Sequence, residues 1–230
     1  MVENDSVLSG GSEKRHEFDV VDSELLVDGP ILALRRDTVT MPGGTAAKRE
    51  VVEHFGAVAV VAVDESGRIA MVEQYRHTVG RRLWELPAGL LDFDGEDELS
   101  TAKRELVEEA GLEAQQWSVL VDLVTSPGFA EEAVRVFLAT GLCETERPEA
   151  EDEEADMDFA WVPLGEARAS VMEGRISNSI AIAGILSASE VLAGRAEARS
   201  TDTPFELRPT HLSDRRREQG IMPDMKKIQK

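Results

Sequence analysis

Cysteine is almost absent: Cys143 is the only one in 230 residues. It can form neither an internal disulfide nor a thiolate metal centre, and a cytoplasmic location is the expectation. No run of 18 apolar residues occurs, and no basic segment followed by an apolar stretch opens the chain. Neither a membrane span nor a secretory signal is therefore expected. Positive charge is scarce as well: 25 Lys and Arg face 45 Asp and Glu, a formal net charge of −20. Phosphate-backbone recognition needs clustered Lys and Arg, so a generic nucleic-acid binder is excluded. No Asp-x-Asp-x-Asp-Gly loop places Ca²⁺ ligands. No helix-turn-helix pattern follows residue 193, no nucleophile–base arrangement surrounds Cys143 or the serines, and no internal repeat is visible. His16, His54, His77 and His211 are scattered and read as structural or solvated.

What is present is a core-forming chain. Apolar residues make up 42%, enough to exclude a wholly disordered acidic polymer. The length suits one catalytic-size domain with a smaller appendage. The acids are uneven: residues 92–109 hold eight Asp and Glu, and residues 144–158 hold nine. Such concentrations need either solvent or a cation.

Residues 1–14 are polar and without periodicity, and are expected to be disordered. Residues 15–54 read as a small β-rich N-terminal domain punctuated by Gly29-Pro30 and Pro42-Gly43-Gly44. It is short for a core of its own and must lean on something else, such as a second subunit. The main domain is expected over residues 55–194. Residues 56–63 form an apolar run suited to a strand buried on both faces. Further strands are expected at 68–76, 83–86, 117–124, 133–140 and 159–162, and helices at 98–110, 163–173 and 177–193. Asp97 is the expected cap of the first helix and Gly111 its stop. This uneven order predicts a mixed α/β (α+β) sandwich. Residues 195–230 carry nine Lys and Arg against six Asp and Glu, leaving −23 on the rest. With little apolar periodicity, they read as a flexible or loosely docked tail.

The chemistry concentrates in residues 89–112. Glu105, Glu108 and Glu109 stand at i, i+3 and i+4, so on a helix they share one face. Like charges placed so repel one another. The arrangement makes sense if that face holds a divalent cation, and an all-oxygen ligand set suits Mg²⁺, with Mn²⁺ the other candidate.

This segment resembles the Nudix box, Gly-x5-Glu-x7-Arg-Glu-U-x-Glu-Glu-x-Gly-U, where U is bulky and aliphatic. Glu96, Arg104, Glu105, Leu106, Glu108, Glu109, Gly111 and Leu112 fall in register. Gly89 fits with one extra residue before Glu96, a departure confined to the loop ahead of the helix. Over residues 16–193 the chain further resembles ADP-ribose pyrophosphatases of that family. Trp84-Glu85-Leu86-Pro87-Ala88-Gly89 leads into the box, Ser126-Pro127-Gly128 follows it, and an acidic loop precedes the last two helices of the domain.

The resemblance implies a Nudix-type α/β/α sandwich that hydrolyses ADP-ribose to AMP and ribose 5-phosphate. It implies that Glu105 and Glu109 are the principal metal ligands, with Glu108 and the Ala88 carbonyl contributing, and that Glu96 and Arg104 orient the box. Glu153, or else Glu154, would be the catalytic base. Arg76 would bind phosphate, and Arg49 and Glu50 the adenosine part. Leu90, Ser126, Gly128 and Glu132 would line the ribose side, and Phe129 would either stack or pack. His54 stands where close relatives have an arginine. A homodimer with exchanged N-terminal domains is also implied. The alternatives are a Nudix hydrolase of another nucleoside diphosphate sugar or derivative, or a non-catalytic nucleotide-binding regulator. Retention of every box glutamate favours catalysis.

Overall fold

The computed structural model describes residues 16–148 and 156–228. Ten strands and four helices are formed among them. Strands β1 (Val20–Asp28), β2 (Leu32–Thr40) and β3 (Ala46–His54) make an antiparallel meander. β4 (Ala57–Ala62) lies at the centre of a mixed sheet. It runs antiparallel to β7 (Ala88–Leu90) and parallel to β9 (Ala133–Glu144), whose other edge carries β8 (Leu112–Val124). A third, antiparallel sheet orders β10 (Asp158–Pro163), β5 (Arg68–Arg76) and β6 (Arg81–Glu85).

The run expected to be buried on both faces is β4, and its alternation explains the layers. Ala57, Ala59 and Val61 enter one core, shared with α2 (Leu164–Met172) and α3 (Ser179–Leu192). Val58, Val60 and Ala62 enter the other, beneath α1 (Glu98–Ala110). A strand with period 2 can feed two cores only if every residue is apolar. The expected α/β/α sandwich follows.

α1 is delimited by local chemistry. The Asp97 side chain accepts from the Ser100 N–H at 2.8 Å, and Gly111 adopts φ +63° to accept the left-handed turn that ends the helix. Strand and helix limits elsewhere fall within a few residues of expectation, except that β8 and β9 begin earlier or run later.

The 195–230 stretch differs from its expectation. Residues 195–228 are folded against the body and include α4 (His211–Glu218). The reason is long-range charge and apolar docking that no local period announces. Arg199 and Val119 exchange backbone hydrogen bonds. Arg135, 2% exposed, pairs with Asp122, donates to the Thr203 and Pro204 carbonyls and stacks over Phe205. Leu212 and Met225 close a small core with Ala33 and Phe55, so the N-terminal sheet leans on this segment. Arg216, wholly buried, pairs with Asp28 and donates to the Gly29 carbonyl.

Candidate active site

α1 sets the site because its caps fix the register of the acidic face. Glu105 and Glu109 are turned inward, 8% and 7% exposed, while Glu108 is half-buried. Arg104 is the shared counter-charge. It contacts Glu96 through two nitrogens at 3.2 and 3.0 Å, Glu105 at 2.6 Å and Glu108 at 2.9 Å, with its guanidinium over the Phe93 ring. Glu96 also accepts from the Thr101 hydroxyl at 3.0 Å, tying the loop to the first helical turn.

β7 brings the other half. The Ala88 N–H donates to Glu109 Oε2 at 2.9 Å. Gly89 is needed for closeness, because a Cβ there would overlap the Glu105 carboxyl.

Several acids thus crowd around one guanidinium. Burial pushes the Glu105 carboxyl up to about 7; Arg104 pulls it down, while Glu108 and Asp92 add to the rise. Among the described residues, Glu96, Glu105 and Glu108 share one ion-pair partner, Arg104. The site's donors are carboxylate oxygens, which fit a hard divalent cation. Among the described residues no three acidic, histidine or cysteine groups already converge on a single point, since Arg104 stands between Glu105 and Glu108.

The remaining predicted residues lie on other elements. Arg76, at the end of β5, makes two hydrogen bonds to the buried Glu85 at 3.0 and 2.7 Å. Arg49 and Glu50 lie on the exposed part of β3, where Glu50 pairs with Arg36 and Arg49 reaches the Lys48 carbonyl. Leu90 packs at the edge of the α2–α3 core. Ser126 and Gly128 belong to a turn in which the Ser126 carbonyl accepts from the Phe129 and Ala130 amides. That turn is stitched to β3: Val52 donates to the Phe129 carbonyl at 2.7 Å and accepts from Glu131 at 3.1 Å. Glu132 accepts from the Thr125 hydroxyl, and its other oxygen is 3.8 Å from His54 Nδ1. His54 Nδ1 accepts from the Gly56 N–H at 3.1 Å, and burial holds its pKa below the usual histidine value. Phe129 is exposed. Glu153 and Glu154 lie outside the described residues. Gly111 serves as the helix stop.

Sequence reading passed over Asp92. It was counted among the acids of the 92–109 stretch but not singled out, and it is 2% exposed beside the box. Its only signal was an acid directly after two leucines.

Residues 53–180 match the Nudix domain, and residues 18–52 match the nucleoside diphosphate sugar hydrolase N-terminal domain. The chain belongs to the Nudix family. This Nudix chain is 60% identical to an ADP-ribose pyrophosphatase of Mycobacterium tuberculosis over 203 residues, 88% of this chain and 98% of that protein. It is 40% identical to a methanol dehydrogenase activator of Bacillus methanolicus over 72% of this chain and 89% of that one. A solved structure of an ADP compounds hydrolase superposes with a TM-score of 0.68, covering 80% of this chain and all of that chain, and at 18% identity it bears on the fold alone. Nudix hydrolases generally use divalent metal ions. No helix among the described residues is long and apolar enough to cross a membrane.

Proposed function

We propose that this Nudix hydrolase cleaves the pyrophosphate bond of ADP-ribose, adding water across it to give AMP and ribose 5-phosphate. The observation that carries the reading is the carboxylate cluster, Glu105, Glu108 and Glu109, gathered on one helix and held by α1 against the Ala88–Gly89 backbone. The 60% identity to an ADP-ribose pyrophosphatase supports the substrate.

A divalent ion, Mg²⁺ in this reading, would neutralise pyrophosphate oxygens and acidify water. Glu105, Glu109 and Glu108, with the Ala88 carbonyl, would hold it. Arg104 and Glu96 keep these acids oriented while the charge balance changes. Glu153, with Glu154 next, would take the proton from the attacking water. Arg76, anchored by Glu85, presents a guanidinium to phosphate. Ser126, Gly128, Glu132 and Leu90 would line the ribose side.

Arg49 and Glu50 would meet the adenosine part across a homodimer interface. The exposed apolar side chains of the N-terminal domain, Phe18, Val20, Val21, Leu25, Val27, Ile31 and Leu32, support a partner. A monomeric mass by light scattering at micromolar concentration rejects the dimer. We place the chain in the cytoplasm, consistent with its lone, unpaired cysteine.

Phosphate-linked hydrolysis of ADP-ribose, ADP-glucose and NADH, each with and without Mg²⁺, tests the function. The expected result is Mg²⁺-dependent turnover strongly favouring ADP-ribose. A large preference for another substrate overturns that assignment.

A further inference from the structure

From Arg208 onward the 195–228 segment runs to the site itself. Arg208 donates to Glu98 Oε1 at 2.8 Å, at the start of α1. After α4 the chain lies along the loop preceding the box. The Pro223 carbonyl accepts from Asp94 N–H at 2.9 Å, and the Asp92 carbonyl accepts from Met225 N–H at 3.0 Å. Lys226 then places its ammonium 2.5 Å from Asp92 Oδ2.

Asp92 needs this partner. Its side chain is 2% exposed, and a buried carboxylate without a counter-charge is costly. The pair also adjoins the box: Phe93, next to Asp92, lies under the Arg104 guanidinium at 5.2 Å, and Arg104 donates to Glu105 at 2.6 Å. Asp92 is one of the acids acting on Glu105, and Glu105 is one of the charges acting on Lys226. Asp224 also acts on Lys226. Met225, beside it, is fully buried, so the backbone holding the ammonium is anchored.

We propose that Lys226 is a positioning residue of the metal site: it neutralises Asp92 behind Glu105, and so sets how tightly the α1 carboxylates take up a divalent cation. The inference rests on the reading of α1 as the metal-binding helix. A fixed positive charge near a cation site weakens it. Removing that charge leaves Asp92 uncompensated, and at about pH 8, where the test is run, its ionised carboxylate acts on the site.

The test is Mn²⁺ binding to the metal-free full chain, measured from the EPR signal of free Mn²⁺, with thermal unfolding alongside. Lys226→Met should tighten Mn²⁺ binding by about three- to tenfold, as loss of a nearby unit charge in a partly screened site implies. Lys226→Arg should leave it near that of the unsubstituted chain. A side chain that only braced the fold would weaken binding when removed, or leave it unchanged; either result in Lys226→Met overturns the proposal. Should Lys226→Met not fold, Asp92→Asn and the double change with Lys226→Met decide the matter. Asp92→Asn must weaken binding and the double change must restore it, and any other pattern overturns the proposal. If the unsubstituted chain takes up no Mn²⁺, the metal-site reading itself fails. Binding that is insensitive to Lys226 removes only the present inference.

Discussion

Two buried clusters of acid and arginine lie in this molecule and end in opposite states. In the first, Asp37, Glu53 and Glu131 surround Arg35, with Arg215 bonded to Glu53 and His211 to Glu131. This cluster joins β2, β3, the turn after β8 and α4. Burial alone would raise the Asp37 carboxyl, but Arg35 and Ser23 hold it below the usual carboxylate range. In the second, Glu96, Glu105 and Glu108 share one ion-pair partner among the described residues, Arg104, and Glu105 rises to about 7. The residue types are the same and the balance is not. A cluster supplied with cations from its own chain is a fastening. A cluster left short of them is a place for a cation from solution, and that imbalance separates a site from a structural network.

The largest expected effect comes from breaking the second cluster. Glu109→Gln should lower ADP-ribose turnover by at least about 100-fold while the unfolding midpoint stays within a few degrees. Near-native hydrolysis by that variant would mean the metal ligands lie elsewhere. The first cluster should show the reverse. Glu53→Gln takes from Arg215 its carboxylate and from Arg35 one of three, and should cost about 3–5 kcal/mol of stability with turnover per folded molecule largely kept. Denaturant titration beside steady-state kinetics checks this, and equal loss of both properties would erase the contrast.

A third outcome concerns pH. Glu105 ionises near its ordinary 4.5 in the unfolded chain and at about 7 in the metal-free fold. A raised folded pKa contributes stability that is complete below the unfolded value and is lost as pH rises through the folded one. Metal-free protein should therefore lose about 3 kcal/mol from this group as pH climbs through that window. Glu105→Gln should remove that slope in denaturation curves recorded across the window, and parallel slopes in the two proteins would contradict the assignment. The smallest effect is expected where neither cluster is touched. Asp97→Ala deletes the cap of α1 and should cost about 1 kcal/mol, read as a modest drop in unfolding midpoint.

Much of the fold was legible locally. The six residues of β4 are apolar without interruption, so only a strand between two cores satisfies them. α1 is framed by Asp97 and Gly111, and its three glutamates share a face through the helical period. The meander was visible in its turn glycines and prolines. β7 was missed because three residues after a proline carry no period. α4 was missed because its sequence, His-Leu-Ser-Asp-Arg-Arg-Arg-Glu, offers no apolar stripe. It is held by Leu212 and by arginines whose partners stand far away in the chain, at separations of 162 residues for the Arg215–Glu53 pair and 187 for the bond from Arg216 to the Gly29 carbonyl.

The sequence by itself determined the chemistry available: a helix with three carboxylates on one face, its ends, its family, and the two-sided central strand. These depend on neighbours within a few turns or on alternation along a single strand. The tertiary structure alone decided which acids are paid in charge and which are not. Burial of Asp92 and its pairing with Lys226 bring groups far apart in the chain into one low-dielectric space, and burial there pushes Glu105 up, so the balance of charge depends on distance through the fold.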